Sequence, residues 1–519
     1  MYTVLDLLTR RAANAPFEKI AVVDGARRVT YAELLARSRS RAALLKELGV
    51  RKGDRVAIFL RRSVEAVTAL FGTWFAGGVA VVINESLRAR QVDHIVAHSG
   101  AACVVTDGRQ LLSVPYLPHG RVSVVNVDQV EPSGPPASPE PVIGADLALI
   151  IYTSGSTGLP KGVMVSHDNL LSGARIVSDY LNLTARDVIL SHLPFSFDYG
   201  LNQVLTALLA GGTLVVQRSL FPPDICDTIE REGVTGLAGV PTLWLQLTGR
   251  QSPFLRVALS TLRYVTNSGG RLPEHTVRLI RAAHPHVAVH LMYGLTEAFR
   301  STSLPPDQVD RRPASIGKAI PDVEVLVVNE EGQVCKPGEV GELVHRGANI
   351  TMGYWRDPDS TARVFRPHPL RERRNGSTEL VVFSGDLVKT DADGYLYFVG
   401  RRDQLIKSRG FRVSPEEIEG CIASSDLVSN VVSFAVPRDE AENDIVVAVI
   451  PKESSTFREE ALEEFCKREL PEYMWPRVIW RTDEFPLTSS GKPDRSKIRG
   501  AYVERSERPR RVAGAAGTA

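Results

Sequence analysis

Apolar positions switch between two periods along the first part of the chain, and the switch predicts its elements. Tyr31–Leu48 carries an amphipathic helical stripe opened by Thr30, and Arg55–Phe59 reads as a short strand. Ser63–Ala76 reads as helix, Val79–Ile83 as strand, Ala89–His98 as helix and Ala102–Thr106 as strand. Such alternation predicts a parallel sheet covered by helices. Residues Glu131–Pro141, rich in Pro and Ser, predict an exposed loop. Beyond Arg312 the pattern becomes short β-rich runs: Glu324–Val328, Gly341–His345, Leu380–Phe383 and Tyr395–Val399, with Asp393-Gly394 as a hairpin turn. After Arg402 a small α+β pattern follows: helical Pro415–Ala423, strands near Val431–Val436 and Ile445–Ile450, and helix Phe457–Leu470. The expected fold class is α/β. A large N-terminal domain (1–402) holds helix-covered sheets and a β-rich subdomain, a small α+β C-terminal domain spans 403–503, and a charged then Gly/Ala-rich tail (504–519) is expected to be disordered.

Ala66–Ile83 is eighteen residues without a charge, long enough to raise the question of a membrane span. Gly77-Gly78 divides it and β-branched residues follow, so a buried helix turning into a buried strand is the reading. The N-terminus has no basic region leading into an apolar stretch, hence no expected signal peptide. Sixty-two basic against sixty acidic residues leave +2, which makes no case for nucleic-acid or membrane binding. The local clusters Arg366–Arg374 and Arg508–Arg511 read as solvated loops. Five cysteines lie far apart without metal-ligand spacing, which argues against zinc and disulfides and for a reducing cytoplasm.

One stretch changes the picture. Tyr152-Thr153-Ser154-Gly155-Ser156-Thr157-Gly158-Leu159-Pro160-Lys161-Gly162 sits between the apolar run Leu147–Ile151 and an amphipathic start at Met164. Glycines let backbone N–H groups approach a ligand, hydroxyls add hydrogen bonds, and Lys161 adds a positive charge. This is the chemistry of a phosphate grip. It is not the Walker form, because the lysine follows Pro160 and precedes Gly162.

Further motifs follow: Tyr293-Gly294-Leu295-Thr296-Glu297, Ser384-Gly385-Asp386, Gly400-Arg401-Arg402-Asp403 and Ser490-Gly491-Lys492. Taken singly, Glu297 could cap a helix, Asp386 could be a turn residue (as Asp391 and Asp393 read), and Lys492 could face solvent. Taken in order, they resemble the adenylate-forming superfamily of acyl-CoA synthetases, peptide-synthetase adenylation domains and luciferases, from about Tyr31 to Ile498. The resemblance implies an AMP-forming ligase in which a carboxylate attacks the α-phosphate of ATP and pyrophosphate leaves. It implies that Thr153, Ser154, Gly155, Ser156, Thr157, Gly158 and Lys161 hold the β- and γ-phosphates. Tyr293 would stack on adenine, with Ser268, Gly269 and Gly270 on the other side. Thr296 would bind the α-phosphate and Glu297 would hold Mg²⁺, a hard cation that needs oxygen ligands. Asp386 and Arg401 would reach the ribose, and Lys492 would bridge the attacking carboxylate and the α-phosphate. Asp403 would be the hinge about which a mobile C-terminal domain rotates before transfer to a thiol.

The substrate signal is Phe197-Asp198, similar to the Phe-Asp of amino-acid adenylation domains, where the aspartate pairs with an amino group. A buried carboxylate is costly unless it meets a cation or donors. Asp198 facing an internal basic residue is the bland alternative. Further pocket residues expected by position are Val240, Asn267, Gly294, Phe299 and Arg300; Arg300 could meet a second carboxylate or pair with a surface acid. The leading expectation is an amino acid, α or β, loaded on a carrier protein, the alternative an acyl-CoA ligase for a medium-chain or aryl acid. The thiol would be coenzyme A or carrier-protein phosphopantetheine. With little sequence beyond the Lys492 motif, a partner is expected to supply it. The protein itself is expected to be a monomer or homodimer.

Overall fold

The computed structural model describes residues 2–16, 18–114, 122–130, 135–153, 160–371, 379–408, 411–438, 443–453, 455–488 and 491–507. The chain divides into two compact units: Met1–Ser384 with Val388–Phe398, and Gly385–Leu387 with the chain from Val399 on.

The first unit is built on two large sheets. The six-stranded sheet runs, edge to edge, Ser123–Asn126, Ala101–Thr106, Arg55–Phe59, Val79–Val82, Leu147–Thr153 and Lys161–Ser166. Its first five strands are parallel, as the alternation predicts, but Lys161–Ser166 returns antiparallel beside Leu147–Thr153. Met164, expected at an amphipathic start, lies in that strand. The helix begins at His167, where Ser166 accepts from the Asn169 amide as N-cap. The nine-stranded sheet has a parallel centre: Ala288–Tyr293, Tyr264–Asn267, Gly236–Gly239, Val188–Ser191, Thr213–Val216 and Ile20–Asp24. Antiparallel strands close both its edges, a feature that helix–strand alternation alone does not register.

The uncharged stretch resolves into helix Val64–Phe75 and strand Val79–Val82, with Gly77 turning the chain at φ +75°. All but one residue of that helix is buried, because it packs under the sheets, and Trp74 donates its indole N–H to the Ala148 carbonyl at 2.8 Å. Among the described residues no helix is long and apolar enough to cross a membrane.

The β-rich segment pairs Val323–Val328 with Gly341–Gly347, and next to the latter runs Leu380–Thr390, eleven residues rather than the four expected. Asp393-Gly394 does turn that strand into Leu396–Arg401, with Gly394 donating to Asp391. Arg366, expected in a solvated loop, lies in the short strand Phe365–Pro367, stacked 3.3 Å from the Phe383 ring centroid and paired with Glu342.

In the second unit, Val428–Pro437, Asn443–Pro451 and Val478–Arg481 form a three-stranded sheet covered by helices Pro415–Ala423 and Glu459–Glu469. A last helix, Arg495–Glu507, runs four residues into the segment expected to be disordered; its i,i+3 ion pair Lys497–Asp494 supports the first turn. Residues 508–519, including Arg508–Arg511, lie outside the described residues.

Candidate active site

The parallel strands of the nine-stranded sheet end together at Ser191, Gly239, Asn267 and Tyr293. In open α/β sheets, ligand crevices lie beyond such carboxyl ends. Nearly every expected residue of the first unit that the structure describes sits on this edge or at the neighbouring strand ends Thr153 and Lys161 of the six-stranded sheet.

On the phosphate side, Thr153 and Lys161 are cross-strand partners, so the strands converge on the glycine-rich loop from both ends. Ser154, Gly155, Ser156, Thr157 and Gly158 lie outside the described residues. The stems are held by helix Ala89–Ser99: His98 Nδ1 meets the Tyr152 hydroxyl at 2.8 Å and His94 Nε2 meets the Pro160 carbonyl at 3.3 Å. The two rings stack at 5.4 Å, one helical turn apart. Burial, the nearby His94 and Arg356 hold the His98 pKa below its ordinary value. Lys161 Nζ donates to Ser360 Oγ at 2.6 Å, lies 3.5 Å from Asp357 and sits over the Tyr354 ring. Tyr354 in turn donates its hydroxyl to Glu297 Oε1 at 2.5 Å. One aromatic side chain thus touches both the lysine and the glutamate named from sequence.

Thr296 and Glu297 lie in a short 3-10 turn, Thr296–Ala298, directly after strand Ala288–Tyr293. The Glu297 carbonyl accepts from Thr351 N and Oγ1, both at 3.0 Å, which fixes the turn. One carboxylate with an oxygen not engaged by Tyr354 suits Mg²⁺, which takes one or two protein carboxylates and fills its octahedron with phosphate oxygens and water. Tyr293 stacks on His345 with centroids 6.0 Å apart. Burial without a partner for either ring nitrogen pushes His345 down to about 3, so it is neutral.

After Glu297 the backbone makes a tight γ-turn. Phe299 has φ +48° and ψ −56°, and the Arg300 amide donates to the Ala298 carbonyl at 2.5 Å. This conformation is strained for any residue with a side chain. It is held because the Phe299 ring is fully buried against Gly173, where a Cβ would come within 2.5 Å of the ring. Phe299 therefore belongs to the core and does not line the pocket expected of it. Arg300, one residue on, lines a cavity of about 30 Å³ whose wall is largely apolar (Val177, Leu181, Ile189, Tyr199, Ala238, Tyr264 and Met292), with Asn202, Gln203, Thr206, Thr266 and Arg300 as its polar members. Its Nη1 donates to Ser268 Oγ at 2.8 Å, and the guanidinium lies 4.7 Å from the Tyr199 ring centroid. Gly294 sits against its backbone; a Cβ there would come within 3.0 Å of Arg300 Cα.

Asp198 is 4% exposed and opens helix Asp198–Ala210, after Phe197 as N-cap. A carboxylate in a first turn is favoured by the macrodipole. Phe197 packs edge-on to Tyr199, whose hydroxyl bonds Thr266. Val240 packs with Leu193, Tyr199, Ala238 and Met292, behind the cavity wall rather than on it. Asn267 is buried and donates to the Gly270 carbonyl at 2.9 Å, which ties down Ser268-Gly269-Gly270. Ser268, expected beside adenine, accepts from Arg300 through its hydroxyl.

In the second unit Asp386, 4% exposed, pairs with Arg401 at 3.3 Å, and Arg401 also meets Asp403 at 3.3 Å. The expected ribose pair and hinge residue thus form one chain of charges. Lys492 is half-buried, its amide donating to Thr488 Oγ1. Sequence reasoning missed Tyr354, Tyr199, Asn202 and the two loop-holding histidines. A signal existed for Asn202, which is four residues past Asp198 on one helix face; nothing local marks Tyr354.

Comparison with known proteins places the chain in a family. The AMP-binding enzyme model matches residues 8–355 and the AMP-binding enzyme C-terminal domain model matches residues 417–492. The chain belongs to the AMP-binding enzymes, adenylate-forming, AMP-forming ligases that use ATP. It is 31% identical to a component of the linear gramicidin synthase of Brevibacillus parabrevis over 94% of its own length, while spanning 9% of that component. Among solved structures, it is similar to ATP-bound MatB of Rhodopseudomonas palustris (TM-score 0.86, 30% identity, 96% of this chain and 99% of that one). It is also similar to the o-succinylbenzoate CoA synthetase MenE of Bacillus subtilis with its acyl-adenylate (TM-score 0.83, 26% identity, 95% and 97%).

Proposed function

We propose that this ligase activates an amino acid, α or β, and passes it to the phosphopantetheine thiol of a carrier protein. The observation that carries the reading is Asp198, a carboxylate buried at the head of a helix beside the pocket residue Tyr199. A buried carboxylate is favoured by a cation, and an α- or β-ammonium supplies one. The similarity to gramicidin synthase supports the same choice.

In the first step a substrate carboxylate oxygen attacks the α-phosphorus of ATP, the bond to the bridging oxygen breaks, and pyrophosphate departs with the electron pair. Lys161 and the loop after Thr153 would hold the leaving phosphates, Thr296 the α-phosphate, and Tyr293 the adenine, against Gly269 and Gly270. Glu297, oriented by Tyr354, would hold Mg²⁺, which neutralises phosphate charge when bound. Asp386 and Arg401 would bind the ribose. Lys492 would place its charge between the attacking oxygen and the α-phosphate, and Asp403 would be the pivot for the second step. In that step the thiol attacks the acyl carbon and AMP leaves. Coenzyme A as acceptor is the second reading, favoured by the CoA-synthetase name of the MenE neighbour.

ATP–pyrophosphate exchange over amino, β-amino, fatty and aryl acids tests the first step. Exchange driven by fatty or aryl acids and by no amino acid would overturn the reading. Mass spectrometry of products with coenzyme A and candidate carrier proteins decides the acceptor.

A further inference from the structure

Arg300 is 2% exposed and brings a guanidinium into the interior. Among the described residues its guanidinium meets a serine hydroxyl and a tyrosine ring but no carboxylate, and its Nε has no hydrogen-bond partner. A desolvated cation without a counter-ion is among the costliest arrangements in a protein interior. The same cavity holds unpartnered neutral polar groups as well. Asn202, also 2% exposed, has neither its Nδ2 nor its Oδ1 partnered, and Gln203 leaves Oε1 unpartnered. A strained γ-turn at Phe299 delivers the arginine there, so its position is imposed by the backbone and not a side-chain accident.

We propose that this cavity takes the second carboxylate of a short amino dicarboxylic acid of about aspartate size. The inference rests on the amino-acid reading above and names its substrate class. Arg300 Nε and Asn202 Nδ2 donate to the second carboxylate, and the amide oxygens of Asn202 and Gln203 accept from the ammonium group or water. Size sets the class further. At roughly 10–15 Å³ per enclosed water, a 30 Å³ cavity holds two or three water-sized groups. That is room for a carboxymethyl arm.

The test is ATP–pyrophosphate exchange by the full chain with aspartate, glutamate, asparagine, leucine, β-alanine, octanoate and benzoate. The expected result is a kcat/KM for aspartate about 100-fold above that for asparagine, its neutral isostere. Arg300→Met should lower the aspartate-to-asparagine ratio of kcat/KM about 100-fold, and Arg300→Lys should recover part of that ratio. A wild-type enzyme that turns over a neutral amino acid faster than any diacid overturns the inference and leaves the amino-acid reading standing. Exchange only with octanoate or benzoate overturns both. Should Arg300→Met fail to fold, Asn202→Leu provides the second measurement: it should lower the aspartate-to-asparagine ratio, and an unchanged ratio counts against the proposal.

Discussion

Two buried arginines of the first unit invite comparison. Arg312 is 8% exposed, lies 4.2 Å from the Tyr395 ring centroid, and pairs with Asp391 and Asp393. Arg300 is 2% exposed and lies 4.7 Å from the Tyr199 ring, with a serine hydroxyl where Arg312 has two carboxylates. Their surroundings differ in charge, not in packing. A guanidinium neutralised within the fold contributes to holding the fold. One left without a counter-ion costs stability, and such a cost persists where a ligand brings the missing charge.

The strongest way to break this contrast is to remove the buried acid next to the pocket residue Tyr199. Asp198→Ala should lower amino-acid-dependent pyrophosphate exchange by at least about 100-fold while ATP binding, read by calorimetry, stays within a few-fold. Unchanged exchange would sink the assignment of the ammonium to Asp198. Next, Tyr354→Phe removes the hydroxyl that positions Glu297. Because it touches neither acid nor thiol, kcat should fall about tenfold with little change in the KM of the acid, as for outer-shell partners of metal ligands. An unchanged kcat, or a loss confined to that KM, would count against the positioning role.

Acid pH sharpens the comparison differently, because histidine can discharge where arginine cannot. Burial holds His167, His192 and His290 down to about 4 and His345 to about 3. Each folded pKa lies below the unfolded value near 6.5, so the unfolded chain binds more protons between the two. Stability is then full above pH 6.5 and lost as pH falls toward 4, by up to about 1.4 kcal/mol per pH unit for each group. Chemical denaturation at pH 7, 6 and 5 checks this; a flat profile would mean these rings are hydrated. The smallest effects are thermal. Arg312→Met should lower the unfolding midpoint by a few degrees, whereas Arg300→Met should leave it unchanged or raise it. Equal falls in both variants would erase the distinction.

Much of this is legible in the chain. The capping residue Thr30, the strand Arg55–Phe59 and the helix Pro415–Ala423 fall where local pattern places them, because each carries its own period and cap. The returning strand Lys161–Ser166 does not, although its partner Leu147–Thr153 is the strand just before it, because the Gly- and Ser-rich run between them breaks the apolar period that would announce a hairpin. The site divides in the same manner. Lys161, Glu297 and Arg300 stand in short motifs that a reader can spot. Tyr354 reaches Glu297 across 57 residues, and its role depends on a fold that brings Met164 and Met352 together. Ser268 and Phe299 stand beside recognisable motifs, but only packing shows that one bonds Arg300 and the other braces it from the core.

The γ-turn at Phe299 has a further consequence. Glu297 and Arg300 are three residues apart on a backbone locked by Thr351 on one side and by Gly173 on the other. On the proposed reading, the metal-holding Glu297 and the carboxylate-binding Arg300 are then two jaws of a single caliper with no slack between them. Enlarging the pocket by mutation would not lengthen it. An acid one carbon longer would have to bend, and would present its reacting carboxylate out of line. Re-engineering this ligase for larger substrates therefore begins at Gly173 and Phe299, behind the pocket, before any residue that lines it.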